Sequence, residues 1–242
     1  MSTVYLVRHG QAGTRDSYDS LSDLGPRQAQ LLGEYFVSEK IHFSRAFAGA
    51  MLRHQETAAE VRSVYAAAGI NFPDIVVDPN WNEFDLDRIY REIGPQLSIA
   101  DAGFRRELKS LTEEIRAGAS SAKARIHRRW MPCDTKVVLA WMEGRYSSQG
   151  ETWEAFRNRV AASRLAIRGG QENENFVVFT SAMPIAIWIG MALDIAVERV
   201  MQLAGVLYNA SYTLLRAREE QLQLFMFNAV PHLTAPELRT HR

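Results

Sequence analysis

The first apolar run of the chain, Thr3-Val4-Tyr5-Leu6-Val7, stops abruptly at Arg8-His9-Gly10. Its β-branched and aromatic residues predict a buried strand, so the tripeptide stands at a strand's carboxyl end. A solvated turn needs none of these three residues in that order. A site that binds and attacks a phosphate can use all of them. A neutral imidazole is a nucleophile that can carry a phosphoryl group, and its pKa lies near working pH. The planar fork of Arg suits phosphoryl oxygens. Glycine lets the backbone approach a ligand closely and offers an unblocked N–H.

Further strands are expected at 44–50, 74–78, 175–181, 210–218 and 221–230. Helices are expected at 24–36, 52–69, 151–169 and 184–195, with Pro26 and Pro184 suited to first turns. Residues 86–148 carry helical runs, among them 104–118, and few strand signals. This order predicts an α/β fold: a three-layer α/β/α arrangement with a mostly parallel central sheet and a helical cap insertion. We expect one domain over 1–242, with the insertion at about 86–148. The polar tail from Thr234 to Arg242 is expected to be loose. Ligands in such sheets bind beyond the carboxyl ends of the strands. The ends here are Arg8-His9-Gly10, the Ala48–Arg53 turn, Asn82-Glu83 and Thr180-Ser181.

A formal net charge of +0 gives no basic excess to suggest nucleic acid or an anionic membrane as partner. The single cysteine, Cys133, rules out an internal disulfide and any multi-cysteine metal site, and it reads as a neutral thiol. The most apolar stretch, 176–193, contains Thr180, Ser181 and Pro184, so it reads as strand, turn and helix rather than a membrane span. No secretory signal is seen at the N-terminus, and the expected location is the cytoplasm. No metal and no cofactor are expected.

Arg53 opens a predicted helix, and a helix N-terminus with an Arg is a good place for an anion. His54 is expected at the surface, because adjacent helix residues face different directions. In "NWNEFDLDR", Glu83 is the choice for an acid that protonates a leaving alkoxide; Asp85 and Asp87 suit a solvated turn. In the cap region Arg105, Arg106, Lys109, Arg125, Arg128 and Arg129 read mostly as a solvated face. Trp81, Trp130, Trp141 and Trp153 read as packing residues.

Taken together the chain resembles the histidine phosphatase superfamily, the phosphoglycerate-mutase-like enzymes whose hallmark is Arg-His-Gly at the end of the first strand. "LSDLGPRQAQLLG" (21–33), "GAMLRHQETA" (49–58), "NEF" (82–84), "GETWEAFRNRV" (150–160), "VVFTSAMPIA" (177–186), "NASYTLL" (209–215) and "FNAVPHL" (227–233) resemble its successive segments in order. The resemblance implies that His9 takes the phosphoryl group, Arg8, Arg53 and Gly10 bind it, and Glu83 serves as acid and then base. One departure stands out. Where the family's last catalytic strand ends Ser-His-Gly-Gly, this chain has Thr180-Ser181-Ala182-Met183, so Ser181 falls at the place of a second histidine that donates to the phosphoryl oxygens. Losing such a donor costs about 2.7–4 kcal/mol in other enzymes. The expected activity is therefore a phosphatase acting on phosphate monoesters, with reduced turnover. The alternative is a phospho-ligand-binding or regulatory protein on the same fold. The expected partner is a small phosphorylated molecule or inorganic phosphate, and Ser181→His is expected to raise turnover where Ala182 and Met183 leave room.

Overall fold

A computed structural model describes residues 2–14, 19–118, 130–167, 174–218 and 221–241. Six strands form one sheet: β1 (Ser2–Arg8), β2 (Arg45–Ala48), β3 (Ile75–Val77), β4 (Asn175–Thr180), β5 (Tyr212–Arg218) and β6 (Gln221–Ala229). Their order across the sheet is β3-β2-β4-β1-β5-β6. β3, β2, β4 and β1 run parallel, whereas β5 is antiparallel to both β1 and β6. All six strands fall where the sequence predicts them. The Glu219-Glu220 connection between the last two lies outside the described residues.

The described helices are α1 (Gly25–Ser38), α2 (Leu52–Ala67), α3 (Leu86–Ala100), α4 (Ala102–Gly118), α5 (Pro132–Met142), α6 (Trp153–Ala162), α7 (Arg164–Ile167), α8 (Ala182–Leu193) and α9 (Val197–Val206). α9 is not expected from the sequence; it starts a few residues past α8, and the two short runs blur into one another. The apolar stretch 176–193 resolves into β4 and α8, and no described helix is long and apolar enough to cross a membrane.

The chain divides into two compact units, Met1–Glu83 with Val160–Arg242, and Phe84–Arg159. In the first unit, alternate residues of four strands place Tyr5, Val7, Ala46, Ala48, Val177, Phe179, Tyr212 and Leu214 in one core. α1 and α2 complete it with Leu32, Phe36, Val61 and Tyr65. The intervening residues Val4, Leu6, Phe47, Phe176, Val178 and Leu215 are buried as well, and α8 packs against β1 and β6. Burial on both faces explains why the parallel strands read as near-continuous apolar runs. In the second unit, Phe84, Trp141, Trp153 and Phe156 make one aromatic cluster with centroids 5.1–5.8 Å apart. Trp130 differs from the expected packing role: it is exposed, and its indole N–H donates to Thr135. Arg105, Arg106 and Lys109 lie on an exposed face of α4, and Arg125, Arg128 and Arg129 lie outside the described residues.

The tail departs from expectation. Thr240 accepts from the Asn209 N–H at 2.7 Å through its carbonyl, and its hydroxyl donates to Asn209 Oδ1 at 2.9 Å. The buried Gln28 donates to the Leu238 carbonyl and to Thr240 Oγ1. The His241 ring lies 4.3 Å from that of Tyr208. Polar composition suggests a solvated tail, but two buried amide side chains on α1 and beside β5 require partners, and the tail supplies them.

His232 is buried beside the Tyr35 and Tyr212 rings. Burial lowers its pKa from 6.5 to about 4, against a backbone interaction at Ala210 that raises it. Between those values the unfolded chain binds the proton and the folded chain does not, so stability rises with pH across that window and gains nothing further above it. The loss on acidification to the lower value is on the order of 3 kcal/mol. We expect His232→Phe to flatten the pH dependence of the urea midpoint between about 4 and 6.5; an unchanged slope would contradict this.

Candidate active site

The parallel registers pair Arg8 with Thr180 and Ala48 with Phe179. His9, Ser181 and Gly49 therefore follow one another across a single end of the sheet. The His9 backbone is held on both sides: its N–H donates to the Thr180 carbonyl at 2.9 Å, and its carbonyl accepts from the Ala210 N–H at 3.1 Å and Asn209 Nδ2 at 3.4 Å. Asn209 is fully buried.

The His9 side chain is buried, 1% exposed. Its Nδ1 lies 2.7 Å from the Gly10 carbonyl oxygen. A carbonyl can only accept, so the ring proton sits on Nδ1, and Nε2 is the basic nitrogen of the neutral ring. Burial first, then the Arg53 and Arg8 guanidiniums and His54, hold its pKa well below the usual imidazole value, opposed by the Gly10 hydrogen bond. The resting side chain is a neutral base.

Arg8 and Arg53 are buried, at 5% and 3% exposure. Arg8 Nη1 donates to the Leu207 carbonyl. Arg53 Nη1 is 3.2 Å from Asp19 Oδ1, and the Arg53 N–H donates to the Asp19 carbonyl. Asp19 comes from a loop whose composition gave no sign of this role. Two buried cations flanking a neutral imidazole form a strong field for an anion.

Gly10 differs from the expected role. Its N–H donates to Thr57 Oγ1 at 3.0 Å, and is committed there rather than offered to a ligand. A side-chain carbon on Gly10 would lie 2.5 Å from the Gly25 carbonyl oxygen. Glycine is needed at this position because two backbones meet. Thr57 in turn donates to the Arg53 carbonyl at 2.7 Å, which joins α2 to the loop after β1.

Glu83 follows the 3-10 turn Pro79–Trp81. Three contacts fix that segment: Thr180 Oγ1 donates to the Trp81 carbonyl, Ala50 N–H donates to Asn82 Oδ1, and Met183 N–H donates to Glu83 Oε2 at 3.1 Å. The Trp81 ring stacks on Trp188, centroids 5.1 Å apart. Glu83 is thus held at the N-terminal turn of α8, while Met183 supplies its backbone to Glu83 and buries its side chain.

Ser181 stands at the N-cap position of α8 without capping it. Its Oγ is 2.6 Å from Nε2 of His54 instead. His54 corrects the sequence-based expectation: it is fully buried. Adjacent helix residues do diverge, but α2 buries Arg53, His54, Thr57, Ala58, Val61 and Tyr65, a stripe wide enough to take both neighbours. A larger side chain at 181 would have the His54 imidazole as an immediate neighbour, besides Ala182 and Met183.

A family model described as the histidine phosphatase superfamily (branch 1) matches residues 4–96 and 109–230. The chain belongs to the histidine phosphatase superfamily. No curated protein matches it. Among solved structures, Bacillus stearothermophilus YhfR is similar at 18% identity and a TM-score of 0.63, over 96% of this chain and 100% of that one. A phosphoserine phosphatase mutant from Entamoeba histolytica, in complex with phosphoserine, is similar at 16% identity and 0.57, over 96% and 100%. A mycobacterial glucosyl-3-phosphoglycerate phosphatase, in complex with inorganic phosphate, is similar at 20% identity and 0.57, over 96% and 99%. At these identities the likeness establishes the fold; the α/β sheet of this superfamily member is theirs.

Proposed function

We propose that this superfamily member is a phosphatase hydrolysing monoesters of small phosphorylated molecules through phosphohistidine on His9. The observation that carries the reading is the His9 ring: its Nδ1–H donates to the Gly10 carbonyl, which makes Nε2 the basic nitrogen of a buried ring that feels the charges of two buried arginines. Nε2 attacks phosphorus as the ester P–O bond breaks. Glu83, as the carboxylic acid, gives its proton to the departing alkoxide, and the alcohol leaves. The Glu83 carboxylate then takes a proton from water, the hydroxide oxygen bonds to phosphorus, and the N–P bond breaks to release phosphate. Arg8 and Arg53 offset the charge on the phosphoryl oxygens in both steps. Structural relatives crystallised with phosphoserine, 3-phosphoglyceric acid and inorganic phosphate support a small phosphorylated substrate.

A second reading, phosphate-ligand binding with negligible turnover, draws on the uncharged Ser181. The two separate on one experiment. Protein mixed with labelled aryl phosphate and quenched in base is expected to retain label that acid removes, the behaviour of a phosphoramidate. Tight orthovanadate binding with neither label nor turnover would favour the second reading and overturn the first.

A further inference from the structure

His54 is the one buried imidazole beside His9 that the steps above leave without a task. The two ring centroids are 5.7 Å apart. Nε2 meets Ser181 Oγ at 2.6 Å. Nδ1, among the described residues, has no hydrogen-bond partner. A side-chain carbon on Gly49 would lie 2.2 Å from Nδ1 and 3.0 Å from Cε1, so the ring fills space that Gly49 leaves open.

These contacts decide where the single proton of a neutral His54 resides. Either tautomer leaves Nδ1 without a partner, and an orphaned buried N–H is the rarer of the two cases. An N–H at Nε2 has the Ser181 oxygen to receive it. Burial, and then the Arg53 charge, keep the ring neutral. With Ser181 Oγ accepting from His54, the serine's own hydrogen is turned away from His54 and is available to another acceptor. The phosphoryl position proposed at His9 is a place for one, since the ring that holds Ser181 lies 5.7 Å from that of His9.

We infer that His54 is a positioning residue: its Nε2–H holds Ser181 Oγ so that the serine hydroxyl donates to a phosphoryl oxygen on its way to and from His9. The inference rests on the phosphatase reading above and supplies what a lone serine lacks. A free hydroxyl rotates among three wells and would cap α8 as readily as meet a ligand; the hydrogen bond from His54 removes both alternatives. Ser181 contacts the substrate, and His54 acts through it.

The test is a double-mutant cycle with p-nitrophenyl phosphate for turnover and orthovanadate for binding. Ser181→Ala is expected to lower kcat by roughly 100- to 1000-fold, the scale of one lost transition-state donor. His54→Leu keeps the volume without the hydrogen bond and is expected to lower kcat by roughly tenfold or more, with a smaller change in KM. The double variant should fall no further than Ser181→Ala, because both remove one interaction. His54→Gln restores a donor near the Nε2 position and is expected to recover most of the loss in His54→Leu; a volume-filling role would give no such recovery. Urea midpoints of all variants show which of them fold. Additive losses, full kcat in His54→Leu, or no recovery in a folded His54→Gln would each overturn the inference. Wild-type protein that neither turns over nor binds vanadate would refute the phosphatase reading and this inference with it; wild-type turnover that both single variants keep would refute this inference alone.

Discussion

His9→Ala is expected to lower the turnover of an aryl phosphate by roughly 10⁴- to 10⁶-fold, the range over which loss of a nucleophile acts in other enzymes. The fold should survive. The His9 backbone, not its ring, carries the bonds to Thr180, Asn209 and Ala210, and removing a neutral buried imidazole leaves no orphaned charge. The ring's bond to Gly10 is local to one residue. Orthovanadate should therefore still bind, more weakly, through Arg8 and Arg53. Residual turnover near the wild-type rate, from a variant with an unchanged urea midpoint, would mean that water rather than His9 attacks phosphorus.

The second large effect is expected at Glu83. Glu83→Gln keeps a side-chain oxygen to accept the Met183 N–H, so the geometry is conserved while the transferable proton is lost. General acid–base groups contribute roughly 10²- to 10⁴-fold, and an alkyl phosphate, whose alkoxide leaves poorly without a proton, should show that loss. p-Nitrophenyl phosphate has a stable phenolate and should lose much less in the first step. The second step then limits, because water has lost its base, and a burst of p-nitrophenol with accumulating phosphoenzyme is expected. Equal losses for both esters and no burst would remove Glu83 from proton transfer.

The sheet, and which residues stand at its strand ends, were legible for a physical reason. Parallel strands buried on both faces produce apolar runs that stop sharply, and the residues at the stops, Arg8, His9 and Ser181, are those the topology gathers. Glu83 was legible through the resemblance of Asn82-Glu83-Phe84 to a family segment, with Asp85 and Asp87 better suited to a solvated turn. His54 was not. Its burial depends on how wide a stripe α2 presents, and a helix of mixed composition does not announce that width. Gly10 was read through a ligand because a glycine after a strand gives no hint that a second glycine, Gly25, faces it. Asp19 was hidden by chemistry common to any acidic loop; only its reach to Arg53 distinguishes it.

The docked tail has a practical side. From Thr240 a chain of contacts runs through Asn209 to the carbonyl of His9. Residues 238–241 thus act as a keystone, closing a scaffold whose other stones include Gln28, 212 residues before Thr240 in the chain. A change at Thr240 would be felt along that line of contacts at the His9 backbone.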